Sequence, residues 1–374
     1  MIYNDFKGLK LSALGFGCMR FPILGDDSAC IDEEATRKMV GRAMEAGINY
    51  FDTAWVYHKG NSERVISQAL RDYPRDSYYL ATKLSAFSED VCRNAAQYFE
   101  KQLETCGTDY VDFYLLHCVQ ESNIDWYLNP EYGVIEYLKA QKAAGRIRHI
   151  GFSCHCSLHT LERMLDACGD VMEFCQIELN WYDWSFQRAC DKVALLKSRN
   201  MPIWVMEPLR GGKLAALSDQ DTQSLKALRP DEGIPAWGFR FLQKVGVDMI
   251  LSGMSAPEQL EDNLKTFETS DPLTDDEQAA LLSIADGMIA AGKLPCSACR
   301  YCCDGCPMGL DIPSLIKLYN EHILTPDAPL PEDALSDLQG PADCIGCQNC
   351  EQHCPQGIHI HEMMERFAEK LEEL

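Results

Sequence analysis

The chain has 374 residues, 46% hydrophobic and 24% charged, which suits a large core plus a small appended unit. Its 57 acidic and 34 basic residues leave a net charge of −23, which disfavours nucleic-acid phosphates and anionic lipid as partners. No apolar run reaches the roughly 18 residues a membrane span needs, and residues 1–10 lack the basic start and apolar stretch of a secretory signal, so a cytoplasmic location is expected.

Taken in order, β-rich runs are expected at residues 13–18, 48–52, 78–83, 111–117, 147–153, 174–179, 202–207 and 248–252. Helical patterns fall between them at 33–45, 63–72, 89–105, 134–144, 158–168, 186–198 and 236–244, and two more follow at 257–265 and 274–291. Strands that each follow a helix call for crossover connections and a parallel sheet. Eight of them favour a closed (β/α)8 TIM barrel over an open sheet. Gly47, Gly107, Gly145 and Gly246 each end a helical run, where a left-handed residue is wanted. Thr274 and Glu277 have the spacing of a capping box.

Composition changes at Lys293, which divides the chain into a barrel, 1–292, and a small C-terminal α-helical, ferredoxin-like domain, 293–374. The second part repeats itself with a period of 48 residues: Cys306-Pro307-Met308-Gly309-Leu310-Asp311-Ile312 answers to Cys354-Pro355-Gln356-Gly357-Ile358-His359-Ile360, and a helix follows each. The segment 325–341, rich in Pro and Asp, reads as a linker.

Nine of the 19 cysteines lie between Cys296 and Cys354. Eight form two runs of C-x2-C-x2-C-x3-C-P: Cys296, Cys299, Cys302, Cys306 and Cys344, Cys347, Cys350, Cys354. Three closely spaced thiolates grip three irons of one cubane, while the cysteine before proline ligates the other cluster. The pattern therefore predicts two [4Fe-4S] clusters, one on Cys296, Cys299, Cys302 and Cys354, the other on Cys344, Cys347, Cys350 and Cys306. Cys303, beside Cys302, is an alternative ligand. Four-cysteine zinc sites usually pair two C-x2-C knuckles across a longer gap and fit less well. The ten scattered cysteines read mostly as small buried hydrophobes.

Barrels of this class place chemistry at the C-terminal ends of their strands. There the expected strands offer Asp52 with Tyr57 shortly after it, then Lys83, His117, Ser153 and Gln176. Carbonyl reduction needs a proton donor at oxygen as hydride reaches carbon. A tyrosine serves if its pKa, about 10 when free, is lowered by a nearby lysine. An aspartate orients that lysine, and a neutral histidine donates a hydrogen bond to the carbonyl oxygen. Trp55, Trp126, Trp181, Tyr182 and Trp184 lie on expected rim loops, where they either line a substrate pocket or simply pack.

The segment Phe51-Asp52-Thr53-Ala54-Trp55-Val56-Tyr57-His58-Lys59-Gly60-Asn61-Ser62-Glu63 resembles the signature of the aldo-keto reductases. Ala81-Thr82-Lys83 and Tyr114-Leu115-Leu116-His117 resemble the family's next two motifs. The likeness runs over residues 3–290, and the cysteine-rich tail resembles that of a bacterial subgroup. It implies a catalytic tetrad of Asp52, Tyr57, Lys83 and His117, with Tyr57 as general acid. It also implies nicotinamide cofactor contacts at Ser153, Gln176, Glu207, Leu209, Arg210, Gly253, Ser255, Gln259 and Asn263. Cys154 stands where asparagine is usual and Met206 where an aromatic often stacks. Gly253 and Gln259 replace the lysine and arginine common in NADPH-selective members, so NADP(H) and NAD(H) are both open, with a slight lean to the former.

The function expected is NAD(P)H-dependent reduction of a small-molecule aldehyde or ketone. The alternatives are a nicotinamide-binding redox sensor or an electron-relay subunit acting through a redox protein partner. The second demands a splitter between hydride and single-electron chemistry, and no flavin fingerprint is found.

Overall fold

The computed structural model describes residues 1–290, 294, 296, 300–324, 339–354 and 356–372. The expected boundary at 292/293, the ligand Cys299, residues 325–338 of the linker and Pro355 lie outside them.

The chain opens on a hairpin, β1 (Tyr3–Phe6) and β2 (Leu9–Ser12), which the sequence analysis did not anticipate. Its loop is Lys7-Gly8, both with positive φ (52° and 85°), the mirror-image turn that suits strand twist. Phe6 packs on Trp204, Phe113 and Phe174, with ring centres 4.9, 5.8 and 6.1 Å away. The hairpin thereby closes the apolar interior at its base.

Eight parallel strands follow: β3 (Leu14–Gly17), β4 (Tyr50–Asp52), β5 (Tyr79–Leu84), β6 (Val111–Val119), β7 (Ile147–Cys154), β8 (Cys175–Glu178), β9 (Ile203–Met206) and β10 (Met249–Gly253). They close in sequence order, β10 pairing with β3, so the sheet has no edge. All nine residues of β6 are buried, as a strand covered on both faces requires. At Gly151 an added methyl would come within 2.4 Å of the Phe174 ring, so only glycine fits there. The four glycines expected to end helices all have positive φ, between 62° and 92°. The run 89–105 is two helices, Glu89–Arg93 and Ala95–Cys106, broken at Asn94. A helix at Asp219–Leu228 was not expected.

The cysteine-rich part keeps its 48-residue period in three dimensions. Arg300 and Gln348 both take positive φ, as do Gly309 and Gly357. Helix Tyr301–Asp304 corresponds to Asn349–Gln352, and Ile312–Leu324 to Ile360–Glu372. Leu310, Leu315, Ile316, Ile358, Met363 and Phe367 form a separate small core between the long helices. No described helix is long and apolar enough to cross a membrane.

Candidate active site

Parallel pairing brings the ends of β4, β5 and β6 side by side, with Asp52 opposite Ala81 and Lys83 opposite Leu115. Asp52, Tyr57, Lys83 and His117 thereby meet at one rim. The Lys83 ammonium is fully buried and donates to Asp52 Oδ1 at 2.5 Å and to the Thr53 carbonyl at 2.7 Å. Its Nζ lies 4.9 Å from the centre of the Tyr57 ring. The His117 ring meets Tyr57 edge-on, with centres 5.6 Å apart.

Tyr57 begins a tight turn in which His58 and Lys59 both adopt φ of 52°, a left-handed conformation costly for residues with a Cβ. His58 stabilises it. Its Nε2 accepts from the Phe21 amide at 3.1 Å, so the neutral ring donates from Nδ1 to the Ser28 carbonyl at 2.7 Å. Burial keeps that imidazole's pKa low.

Burial also pushes the Tyr57 phenol well above its usual 10, with Tyr301 and Asp52 adding to the rise. This reverses the expectation that Lys83 lowers it. The ammonium's charge is largely neutralised by Asp52, and desolvation of a phenolate in this site outweighs what remains. Burial, with Lys83 close by, drives His117 well below 6.5, so its ring is neutral. His117 Nδ1 lies 2.6 Å from Ser85 Oγ. In the tautomer where Nδ1 accepts from Ser85, Nε2–H is the donor.

A cavity of about 1320 Å³, including its open part, is lined by Asp52, Tyr57 and His117 together with Gln176, Glu207, Leu209, Gly253, Ser255, Gln259 and Asn263. Three expected site residues lie outside its lining. Lys83 sits behind Tyr57. Ser153 Oγ accepts from the Cys118 amide at 2.8 Å, where β6 bulges beyond His117. Arg210 turns away to Asp183 Oδ2 at 2.7 Å and to Gln356 of the cysteine-rich part. None of the five rim aromatics lines the cavity either. Trp181 and Tyr182 are buried in the barrel core, Trp55 packs on Tyr98, and Trp184 packs on Phe241.

Lining residues that sequence reasoning missed include Arg20 and Tyr301. Arg20 follows the first barrel strand, so the rule about strand ends could have found it. Tyr301 carries no such signal, being 244 positions from Tyr57 along the chain.

Glu63 supports the site from behind. It accepts from Thr82 Oγ1 at 2.5 Å and from Gln102 Nε2 at 2.6 Å, and Gln102 also bonds the Lys83 carbonyl at 3.0 Å. Burial raises the Glu63 carboxyl from 4.5 to about 7. Between those values the unfolded chain has lost a proton that the folded chain keeps, so this group's contribution to stability falls as pH rises from 4.5 to about 7. Glu63→Gln cannot titrate. Urea unfolding at pH 5 and pH 8 should show a loss smaller by about 2 kcal/mol in the variant than in the wild type. An identical loss in both would remove Glu63 as the source.

In the small domain Cys306, Cys344, Cys347 and Cys350 line a second cavity, of about 360 Å³. The amides of Gln356 and Ile358 point at the Cys354 thiol, and Cys296 lies near enough for its charge to be felt there. Cys302, buried, has Cys350 as its counterpart in the repeat, whereas the counterpart of Cys303 is Glu351. Cys299 lies outside the described residues.

Ionisable groups gathered at the C-terminal rim of the strands, beside a cavity, form the arrangement of a barrel enzyme's active site. The model of the aldo/keto reductase family matches residues 13–286, and that of the 4Fe-4S dicluster domain matches residues 295–359. The chain belongs to the aldo/keto reductase family and ends in a 4Fe-4S dicluster domain. It is 27% identical over 213 residues to L-galactose dehydrogenase of Arabidopsis thaliana, covering 55% of this chain and 64% of that one, so it spans less than two thirds of that relative. An aldo-keto reductase of Mycobacterium avium is 25% identical over 289 residues, covering 76% of this chain and 93% of that one. Among solved structures, the holo form of aldo-keto reductase AKR11C1 from Bacillus halodurans superposes with a TM-score of 0.61 at 24% identity, covering 76% and 96%.

Proposed function

We propose that the chain reduces an aldehyde or ketone to an alcohol with NAD(P)H, Tyr57 acting as general acid, and that it carries two [4Fe-4S] clusters. The observation that supports this reading most is that Asp52, Tyr57 and His117 line one cavity while Lys83, bonded to Asp52, lies against the Tyr57 ring. A bound nicotinamide supplies the hydride. Tyr57, held protonated by its burial, gives its proton to the substrate oxygen. Lys83 faces the phenolate left behind, and Asp52 keeps the ammonium in place. His117, neutral, donates from Nε2 to the same oxygen and sets its direction.

The cavity suits the cofactor. Gln176 Oε1 is a buried acceptor without a partner, which matches the N–H of a carboxamide. Ser255, Gln259, Asn263 and Arg20 line the same space, and the guanidinium favours NADPH. In the small domain one cluster would sit on Cys344, Cys347, Cys350 and Cys306, the other on Cys296, Cys299, Cys302 and Cys354. Burial raises the Cys354 thiol, and the backbone amides of Ile358 and Gln356 work against that rise. Among the described residues no three His, Cys, Asp or Glu side chains are grouped to hold a single ion, and the four thiols around a shared cavity suit a larger cluster. Hydride and proton complete the reductase step, so that step calls for no redox protein.

Anaerobic purification should yield about eight irons and eight sulfides per chain, and a carbonyl screen under NADPH and NADH should find turnover. About four irons would reduce the cluster count to one. Filled clusters with no carbonyl reduced under either cofactor would sink the reductase.

A further inference from the structure

Contacts between the cysteine-rich part and the barrel gather beside two cysteines assigned above to one cluster. Tyr301 adjoins Cys302. Gln352 and Gln356 flank Cys354. Gln356 Nε2 donates to both carboxylate oxygens of Glu178, at the end of β8, at 2.8 and 2.9 Å. Gln356 Oε1 accepts from Gln187 at 2.5 Å and from buried Arg210. The Gln352 carbonyl accepts from Gln120 at 3.3 Å.

Tyr301 lines the cavity with Tyr57 and His117. Its ring packs on Phe87 with centres 5.2 Å apart, and Phe87 meets His117 at 5.8 Å. The internal repeat marks this position as divergent. Its counterpart is Asn349, whose side chain bonds the Gly305 carbonyl at 2.8 Å within the small domain. One copy of the repeat thus turns inward, and the other presents an aromatic ring to the barrel. By contrast, Gln176, Gly253, Ser255, Gln259 and Asn263, the groups suited to the nicotinamide cofactor, all belong to the barrel.

We propose that Tyr301 is a wall of the carbonyl-substrate site, lent by the cysteine-rich domain and held in place through Cys302 and Cys354, so that filling their cluster governs carbonyl binding but not nicotinamide binding. This rests on the reductase reading and extends it to a specificity-determining residue. The ring narrows the space before Tyr57 and excludes water from it, which favours small carbonyl compounds.

The test uses the full chain with clusters filled, and iron and sulfide matched between samples. Tyr301→Ala should raise KM for propanal about tenfold with a smaller change in kcat, and should shift preference toward a bulky ketone such as benzophenone. Tyr301→Phe, which keeps the ring, should restore most of that loss. The NADPH dissociation constant, read by fluorescence, should stay within about twofold. Repeating the series in a Tyr57→Phe background reads propanal binding to the NADPH complex without turnover. If the wild type reduces nothing, yet Tyr301→Ala still weakens that binding, the reductase reading fails and the wall stands. Unchanged propanal affinity and unchanged size preference overturn the wall.

Chelation of iron from the full chain should cost about tenfold or more in propanal affinity, with NADPH affinity kept. Gln356→Ala, clusters filled, should act in the same direction by about threefold. Equal propanal binding with and without iron, or loss of both ligands together, overturns the cluster's control.

Discussion

Tyr57→Phe should lower kcat/KM for carbonyl reduction by about 10²- to 10⁴-fold, the range for loss of a positioned general acid. The ring keeps its contacts with His117 and Lys83, so the loss isolates the proton. The pH profile adds a sign. A phenol raised above its usual 10 is protonated throughout the neutral range, so reduction by the wild type should not decline between pH 6 and 9 through Tyr57. It should fall only as pH climbs through the raised value. Activity within threefold of wild type in Tyr57→Phe would remove this residue from the chemistry.

The second large effect concerns the pair behind it. Lys83→Met should destabilise the fold by about 3–5 kcal/mol, because it leaves the Asp52 carboxylate buried without its partner. Burial already raises the Asp52 carboxyl, and Lys83 opposes that rise. Removing both charges in Asp52→Asn/Lys83→Met should therefore return much of the stability, since a buried ion pair is costly to desolvate. Activity should not return, because no ammonium remains to face the phenolate. Thermal unfolding and turnover of the two singles and the double complete the cycle. If the double regained activity along with stability, Lys83 would be a packing residue only.

The eight barrel strands were legible because each is a short apolar run set apart by a helix, and β6, buried along its length, reads as one. The hairpin was not, because its two four-residue strands mix polar residues among few apolar ones and leave no apolar run to read. The break at Asn94 was missed since its neighbours continue the helical pattern on both sides. The rim residues Asp52, Lys83 and His117 were found because strand ends can be counted, and Tyr57 because it trails one of them closely.

Arg210 shows the limit. The family resemblance implied a cofactor contact there, yet the guanidinium is paired with Asp183 and with Gln356 of the cysteine-rich part. The direction of the Tyr57 shift was likewise beyond reach, since desolvation depends on everything packed around a group.

By itself the sequence determined the parallel barrel, the duplicated cysteine runs and the order of the rim residues, because each follows from periodicity or spacing along the chain. Only the tertiary structure decided that burial of Tyr57 outweighs Lys83, that the rim tryptophans do not line the cavity, and that Tyr301 shares that cavity with Tyr57. Those facts depend on which distant surfaces meet and how much water they displace, and neither is written in local spacing.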